Sequence, residues 1–174
     1  MSEIVLTGRG LVGGVAEAEA LVTRHAISGW GGVEPRTGRI IESRHELVGQ
    51  SFAGKVLVFP GAKGSSGWSG MFHMARLVGS APAAMVFTVM NTKIALGVVV
   101  SHVPAVTDLD GDPFEVIRTG DRVRVDGDRG TIIVTRADTY RRDPEPSRGH
   151  GWAAEQEQDT DGRRCAGPGP GEHG

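Results

Sequence analysis

The sequence is poor in cysteine and has no long apolar run. Its 174 residues include one cysteine, Cys165, which cannot form a disulfide within the chain or hold a metal cluster by itself. No apolar stretch approaches the roughly 20 residues that cross a bilayer. The start of the chain lacks the charged and apolar regions of a signal peptide, and the net charge of −2 leaves no broad basic surface for nucleic acid. We therefore expect a cytoplasmic globular protein that binds neither membrane nor nucleic acid and holds no metal itself.

Aromatic residues are also scarce. One tyrosine, five phenylalanines and three tryptophans stand against 27 glycines. The core must therefore rest mainly on aliphatic side chains, with many tight turns between short strands.

Apolar residues disappear near the end of the chain. Residues 143–174 contain no Val, Ile, Leu, Met or Phe and are rich in Gly, Pro and charged residues. Such a composition cannot bury enough apolar surface to fold. The sequence therefore predicts a folded domain over residues 1–138 and a disordered tail over residues 139–174.

Within the domain, apolar and alternating patterns indicate mostly strands. The predicted strands are residues 4–6, 15–22, 39–42, 55–59, 83–88, 94–101, 105–107, 122–126 and 131–134. Residues 94–96 could equally begin a second helix, because they are good helix formers. The last two strands read as a hairpin whose turn has Gly127 and Gly130 where positive φ is expected. The pattern predicts a compact α/β domain of the β/β/α kind, mostly β with one or two helices.

One helix is predicted directly after the buried strand 55–59. Pro60-Gly61 ends the strand, and Gly79 stands where a helix C-terminus is expected. The apolar stripe of this helix is predicted to comprise Met71, Met74, Leu77 and Val78. Ser65 or Ser66 is the expected N-cap.

The start of this helix is the candidate functional site. Unpaired N–H groups and the positive end of the helix dipole favour an anion and make it easier to ionise a serine hydroxyl. Helix capping alone would explain the two serines equally well. A nucleotide-binding P-loop is excluded, because Lys63 precedes Gly64 and the motif needs the reverse order.

The ordered set of local motifs over residues 3–135 resembles a known family: the small subunit, or swivel domain, of aconitase X, a branch of the aconitase-like hydro-lyases. The matching pieces are G-R-G at 8–10, A-E-A-E-A-L-V at 16–22, V-E-P-R-T-G-R-I-I-E at 33–42, H-E-L-V-G-Q-S-F-A-G-K-V-L-V-F-P at 45–60, G-A-K-G-S-S-G-W-S at 61–69, A-P-A-A-M-V at 81–86 and G-D-R-V-R-V-D at 120–126.

The resemblance implies that the chain is the swivel subunit of a dehydratase and that a large aconitase X subunit holds an iron–sulfur cluster. It implies Ser65 as the catalytic base, because Ser65 corresponds to the first serine after the family's G-K-G. We assign Lys63, Gly64 and Ser66 to binding a small anionic substrate. The family's substrates include cis-3-hydroxy-L-proline and (R)-5-phosphomevalonate. The sequence departs from the family form after Ser65, where the bulky Trp68 is expected to bear on the pocket.

Two alternatives stay open at this point. A phosphohistidine carrier domain of a phosphoenolpyruvate-using enzyme has a similar swivelling architecture and a similar closing segment. Its histidine would fall at residues 91–93, where this chain has Asn-Thr-Lys, and His102 comes too late. A non-catalytic regulatory partner that keeps the swivel fold is the other alternative.

Overall fold

The computed structural model describes residues 3–136, and the predicted tail lies outside the described residues. Three helices lie in this range: α1 (Gly67–Leu77), α2 (Thr92–Ser101) and the short α3 (Pro113–Val116). The strands are β1 (Glu3–Thr7), β2 (Arg9–Val12), β3 (Val15–Val22), β4 (Ile27–Ser28), β5 (Val33–Glu34), β6 (Arg39–Ile40), β7 (Val56–Phe59), β8 (Ala62–Lys63), β9 (Ala84–Phe87), β10 (Ala105–Thr107), β11 (Arg122–Asp126) and β12 (Thr131–Thr135).

Eight of these strands form one mixed sheet in the order β1-β12-β11-β3-β7-β9-β10-β2. The segment from β3 through β7 and β9 to β10 is parallel, while β11 and β12 are antiparallel to their neighbours. The edge strands β1 and β2 stand at opposite ends of this order although only Gly8 separates them. The sheet must therefore bend round on itself, and β2 approaches the β11–β12 turn so closely that a Cβ on Gly10 would lie 1.9 Å from Gly127 O.

The bend creates two apolar cores, which take alternate side chains of the central strands. Val56 and Val58 of β7 lie in the core within the bent sheet, with Val123, Val125, Ile132 and Val134. Leu57 and Phe59 lie in the second core, which α1 and α2 cover with Trp68, Phe72, Ala75, Ile94 and Val98. Sheet thus packs on sheet and helices on the remaining face, which confirms the predicted β/β/α architecture.

The β11–β12 hairpin is also confirmed, with a different reason for each glycine. Gly130 has φ +66°, as predicted. The predicted positive φ at Gly127 is wrong. A glycine is needed there for space, because a Cβ would lie 1.9 Å from the carbonyl oxygen of Val12. The hairpin turn can therefore pack against β2 only because residue 127 has no side chain.

The predicted apolar stripe of α1 is wrong except at Met71, which is partly buried and packs against the second core. The helix buries Trp68, Phe72 and Ala75, whereas Met74, Leu77 and Val78 are about half or more exposed. Two apolar stripes coexist on this helix. Burying the stripe with the larger aromatic side chains removes more apolar surface from water, so this stripe faces the core. The predicted stop at Gly79 is confirmed, since it has φ +82° and its N–H donates to Arg76 O.

Residues 94–101, predicted as a strand with a helix as the alternative, form α2. Asn91 caps it, with its Oδ1 accepting from Ile94 N at 3.0 Å. The β-branched run 98–100 is held in the helix by packing, because Gly97 lies against Trp68 of α1. The short helix α3, capped by Asp112, brings the number of described helices to three, one more than predicted.

Candidate functional site

The serine loop, defined here as residues 62–66, comprises the short strand β8 and the turn that leads into α1, beyond the carboxyl end of the parallel strand β7. β8 pairs in parallel with β4, which fixes the start of the loop. Gly64 then has φ +85°, a conformation that other residues rarely adopt. The chain thus turns sharply at the predicted glycine and enters α1 three residues later, at Gly67, at the edge of the sheet where open α/β proteins bind ligands.

Ser65 and Ser66 are both exposed at the start of α1. Ser66 occupies the N-cap position with helical dihedral angles, and its side chain makes no capping bond. Ser65 Oγ accepts from Gly67 N at 3.4 Å, a long contact. Neither serine is therefore a regular side-chain cap. The first turn of α1 contains no acidic residue that would offset the positive end of the helix dipole.

Lys63 pairs with a carboxylate that was not assigned to the site from sequence. Its Nζ lies 2.6 Å from Glu42 Oε1. In the described part of the chain, Glu42 Oε2 is buried and has no hydrogen-bond partner. Part of the Lys63 charge is therefore compensated within the chain.

The start of α2 holds the serine loop from the other side. Asn91 Nδ2 donates to Ala62 O at 3.2 Å, and Lys93 Nζ donates to Gly64 O. Sequence reasoning missed Lys93, since residues 94–101 were read first as a strand. The signal was Asn91, a preferred N-cap, directly before a run of good helix formers.

Trp68 lies beneath the loop in the core, so the expectation that it bears on the pocket is wrong. Its side chain is fully buried and stacks on Phe72 with ring centroids 4.2 Å apart. Its Nε1 donates to Ile27 O at 3.1 Å. A large aromatic side chain with one polar group is best placed in a core where that group finds an acceptor.

A different tryptophan, Trp30, lies at the surface beside the loop. It is 77% exposed, and a Cβ at Gly67 would lie 3.5 Å from its Cβ. Two more exposed apolar side chains lie near the loop. Ile41 adjoins Glu42 in sequence, and Val89 lies beside Gly61.

Residues 3–136 contain neither a metal site nor a membrane-spanning helix. No group of three or more His, Cys, Asp or Glu side chains is arranged to hold a metal ion there. Among the helices of the same range, none combines the length and hydropathy needed to span a bilayer.

Comparison with known proteins agrees with this geometry. The family described as aconitase X swivel domain matches residues 5–134. The phosphomevalonate dehydratase small subunit of Methanosarcina mazei is 41% identical over 132 residues, covering 76% of this chain and 92% of the relative. The protein of the same name from Thermococcus kodakarensis is 40% identical over 129 residues, covering 74% and 95%.

A solved structure gives the same result. The crystal structure of Thermococcus kodakaraensis aconitase X in its holo-form superposes with a TM-score of 0.72 at 38% identity, covering 76% of this chain and 99% of that one. The family match over residues 5–134 includes the serine loop, and it takes away the grounds for the phosphohistidine alternative. The chain belongs to the aconitase X swivel-domain family.

Proposed function

We propose that this chain is the small subunit of a dehydratase that removes water from 5-phosphomevalonate, with Ser65 as the catalytic base. The observation that carries the proposal is the exposed position of Ser65, directly after the turn at Gly64 and directly before Ser66, the N-cap residue of α1. The names of the relatives, about 40% identical, support the substrate.

The reaction needs two groups. A base takes a proton from the carbon next to the substrate carboxylate, and a Lewis acid binds the hydroxyl that leaves the next carbon, so that a carbon–carbon double bond and water result. A serine hydroxyl is a weak base unless its surroundings favour the ionised form. The amino end of α1 and the ammonium group of Lys63 in the loop provide such surroundings.

Lys63, Gly64 and Ser66 bind the anionic substrate in this proposal. The Lys63 ammonium attracts the carboxylate or phosphate, Gly64 allows a close approach of the backbone, and Ser66 offers a hydroxyl that makes no capping bond. The lack of an acidic side chain in the first turn of α1 favours the same ligand.

The partner is a large aconitase X subunit in a heterodimer or larger cytoplasmic assembly. That subunit carries the iron–sulfur cluster, which supplies the Lewis acid when the complex is assembled. Ser65 can reach a substrate held by the large subunit only if the surface around the serine loop docks on that subunit. Trp30, Ile41 and Val89, all exposed near the loop, are suited to such an interface.

The experiment is reconstitution of this chain with the large subunit. We expect Ser65→Ala to lower kcat at least about 100-fold, the lower end of the usual contribution of a positioned base. Co-purification with the large subunit should be unchanged. Ser43→Ala, which changes an exposed serine outside the loop, is the matched control and should keep full activity. An active Ser65→Ala complex would make the chain a non-catalytic regulatory partner.

Substrate choice is tested on the same complex. We expect turnover of (R)-5-phosphomevalonate and little or none of cis-3-hydroxy-L-proline. The opposite preference would refute the substrate assignment while leaving the role of Ser65 in place. The chain alone should show no turnover of either compound.

A further inference from the structure

Lys93 contacts the backbone immediately before the proposed base. Its Nζ donates to Gly64 O, and this carbonyl belongs to the peptide bond that leads into Ser65. Gly64 itself has φ +85°, so the orientation of this peptide is set at a turn that few residues can adopt. A donor on the Gly64 carbonyl therefore restrains the direction in which Ser65 leaves the turn.

The same helix start holds the loop at a second point. Asn91 Nδ2 donates to Ala62 O at 3.2 Å, and its Oδ1 accepts from Ile94 N at 3.0 Å. Asn91 thus links the first turn of α2 to the loop, which places Lys93 over Gly64. The helix is packed on the core through Ile94 and Val98, both buried, so it is a rigid support.

Lys93 also differs from Lys63 in its charge environment. Lys63 is paired with Glu42 at 2.6 Å, whereas no carboxylate within residues 3–136 lies within ion-pair distance of Lys93. The side chain is partly buried and its ammonium is directed at a neutral carbonyl. Within the described residues, no carboxylate therefore offsets the positive charge of Lys93 beside the peptide bond that leads into Ser65.

We propose that Lys93 is a positioning residue for Ser65: it fixes the Gly64 peptide and so the place of the hydroxyl, without touching the substrate. This inference rests on the proposed function of Ser65. A base displaced by about 1 Å can lose about 100-fold in rate, since proton transfer depends on the distance between donor and acceptor.

The test uses the reconstituted complex with 5-phosphomevalonate. We expect Lys93→Met to lower kcat about 10- to 100-fold, by the same argument, while KM changes less than about two-fold. Lys93→Arg, which keeps the donor and the charge, should recover much of the loss. If the Lys93→Met complex does not assemble, kcat and KM are measured for Lys93→Gln, which keeps a donor without the charge. Lys55→Met is the matched control, because Lys55 pairs with Glu19 elsewhere on the surface.

Unchanged kcat in Lys93→Met would overturn the inference, and so would a higher KM with unchanged kcat, which would indicate a substrate contact. Combining Lys93→Met with Ser65→Ala should cause no loss beyond that of Ser65→Ala alone, and an additive loss would count against action through Ser65. The two proposals fail separately. If Ser65→Ala is active, the base assignment falls; if Ser65→Ala is inactive and Lys93→Met fully active, only the role of Lys93 falls.

Discussion

Lys63 and Glu42 form an ion pair across the entrance to the serine loop, with Nζ 2.6 Å from Oε1. The residues are 21 positions apart, and only the short pairs β5–β6 and β4–β8 bring their segments together. The pair decides how much positive charge the loop presents to an anion.

Glu42→Gln should therefore strengthen binding of the anionic substrate. Removing the carboxylate leaves the Lys63 charge uncompensated, and the effect of one partly exposed charge is about two- to five-fold in KM. Added salt should reduce the difference, because it screens exposed charges. Steady-state kinetics of the complex at low and high ionic strength give the measurement. Glu19→Gln, which breaks the Lys55 pair, is the control, and a higher KM in Glu42→Gln would mean that Glu42 holds Lys63 in its binding position.

Trp68→Ala should destabilise the chain severely. The fully buried ring stacks on Phe72 and fills the space beside Gly97, and truncating such a side chain costs about 3–5 kcal/mol. Urea unfolding of the purified chain measures the change. Trp30→Ala removes the same side chain from an exposed position and should change stability by less than about 0.5 kcal/mol. Equal effects of the two variants would contradict the placement of Trp68 in the core.

Trp30→Ala should instead weaken the complex with the large subunit. Exposed tryptophans that become buried at an interface often cost about 2 kcal/mol or more when truncated. Calorimetric titration of the large subunit gives the dissociation constant. Leu77→Ala is the control, because Leu77 is 70% exposed at the other end of α1, about 15 Å along the helix axis from Gly67. If Leu77→Ala weakens binding and Trp30→Ala does not, the docking surface lies at the carboxyl end of α1.

Lowering the pH should remove the contribution of the Glu46 carboxylate to the stability of the folded chain. The hydrogen bond from the Thr23 hydroxyl, followed by that from Arg24 N–H, holds the pKa of the Glu46 carboxyl below its ordinary value. A lowered pKa in the folded state means that the contribution is complete above the ordinary glutamate pKa of about 4.3 and is lost as the pH falls through the lower folded value. Glu46→Gln should lack this loss.

Urea unfolding between pH 7 and pH 3 measures the difference between the two proteins. We expect the advantage of the native chain over Glu46→Gln to shrink as the pH falls below about 4.3. A constant difference between the native chain and Glu46→Gln over this range would refute the contribution.

Several local features were predictable because short-range chemistry determines them. Strand 56–59 is apolar at every position, Gly79 ends α1 with positive φ, and Gly130 does the same in the last hairpin. The role of Ser65 is implied by the family resemblance and stays a prediction, while the glycine turn before it is present, with φ +85° at Gly64. The order of the motifs along the chain was enough for the family.

The wrong predictions arose where one sequence pattern is compatible with two different structures. Periodicity in α1 is compatible with two apolar faces, and only packing against Phe59 and Phe52 selects the face with Trp68 and Phe72. Residues 94–101 contain both helix formers and a β-branched run, and contact with α1 decides for the helix.

The amino-acid sequence by itself determined most of the longer strands, the last hairpin, the helix after the glycine turn and the family, because these depend on neighbours within a few residues. The tertiary structure alone decided that Glu42 meets Lys63, that Asn91 and Lys93 hold the serine loop, and that Trp68 is core while Trp30 is surface. Contacts between residues 21 to 29 positions apart follow from the strand order of the bent sheet, which no local pattern in the sequence records.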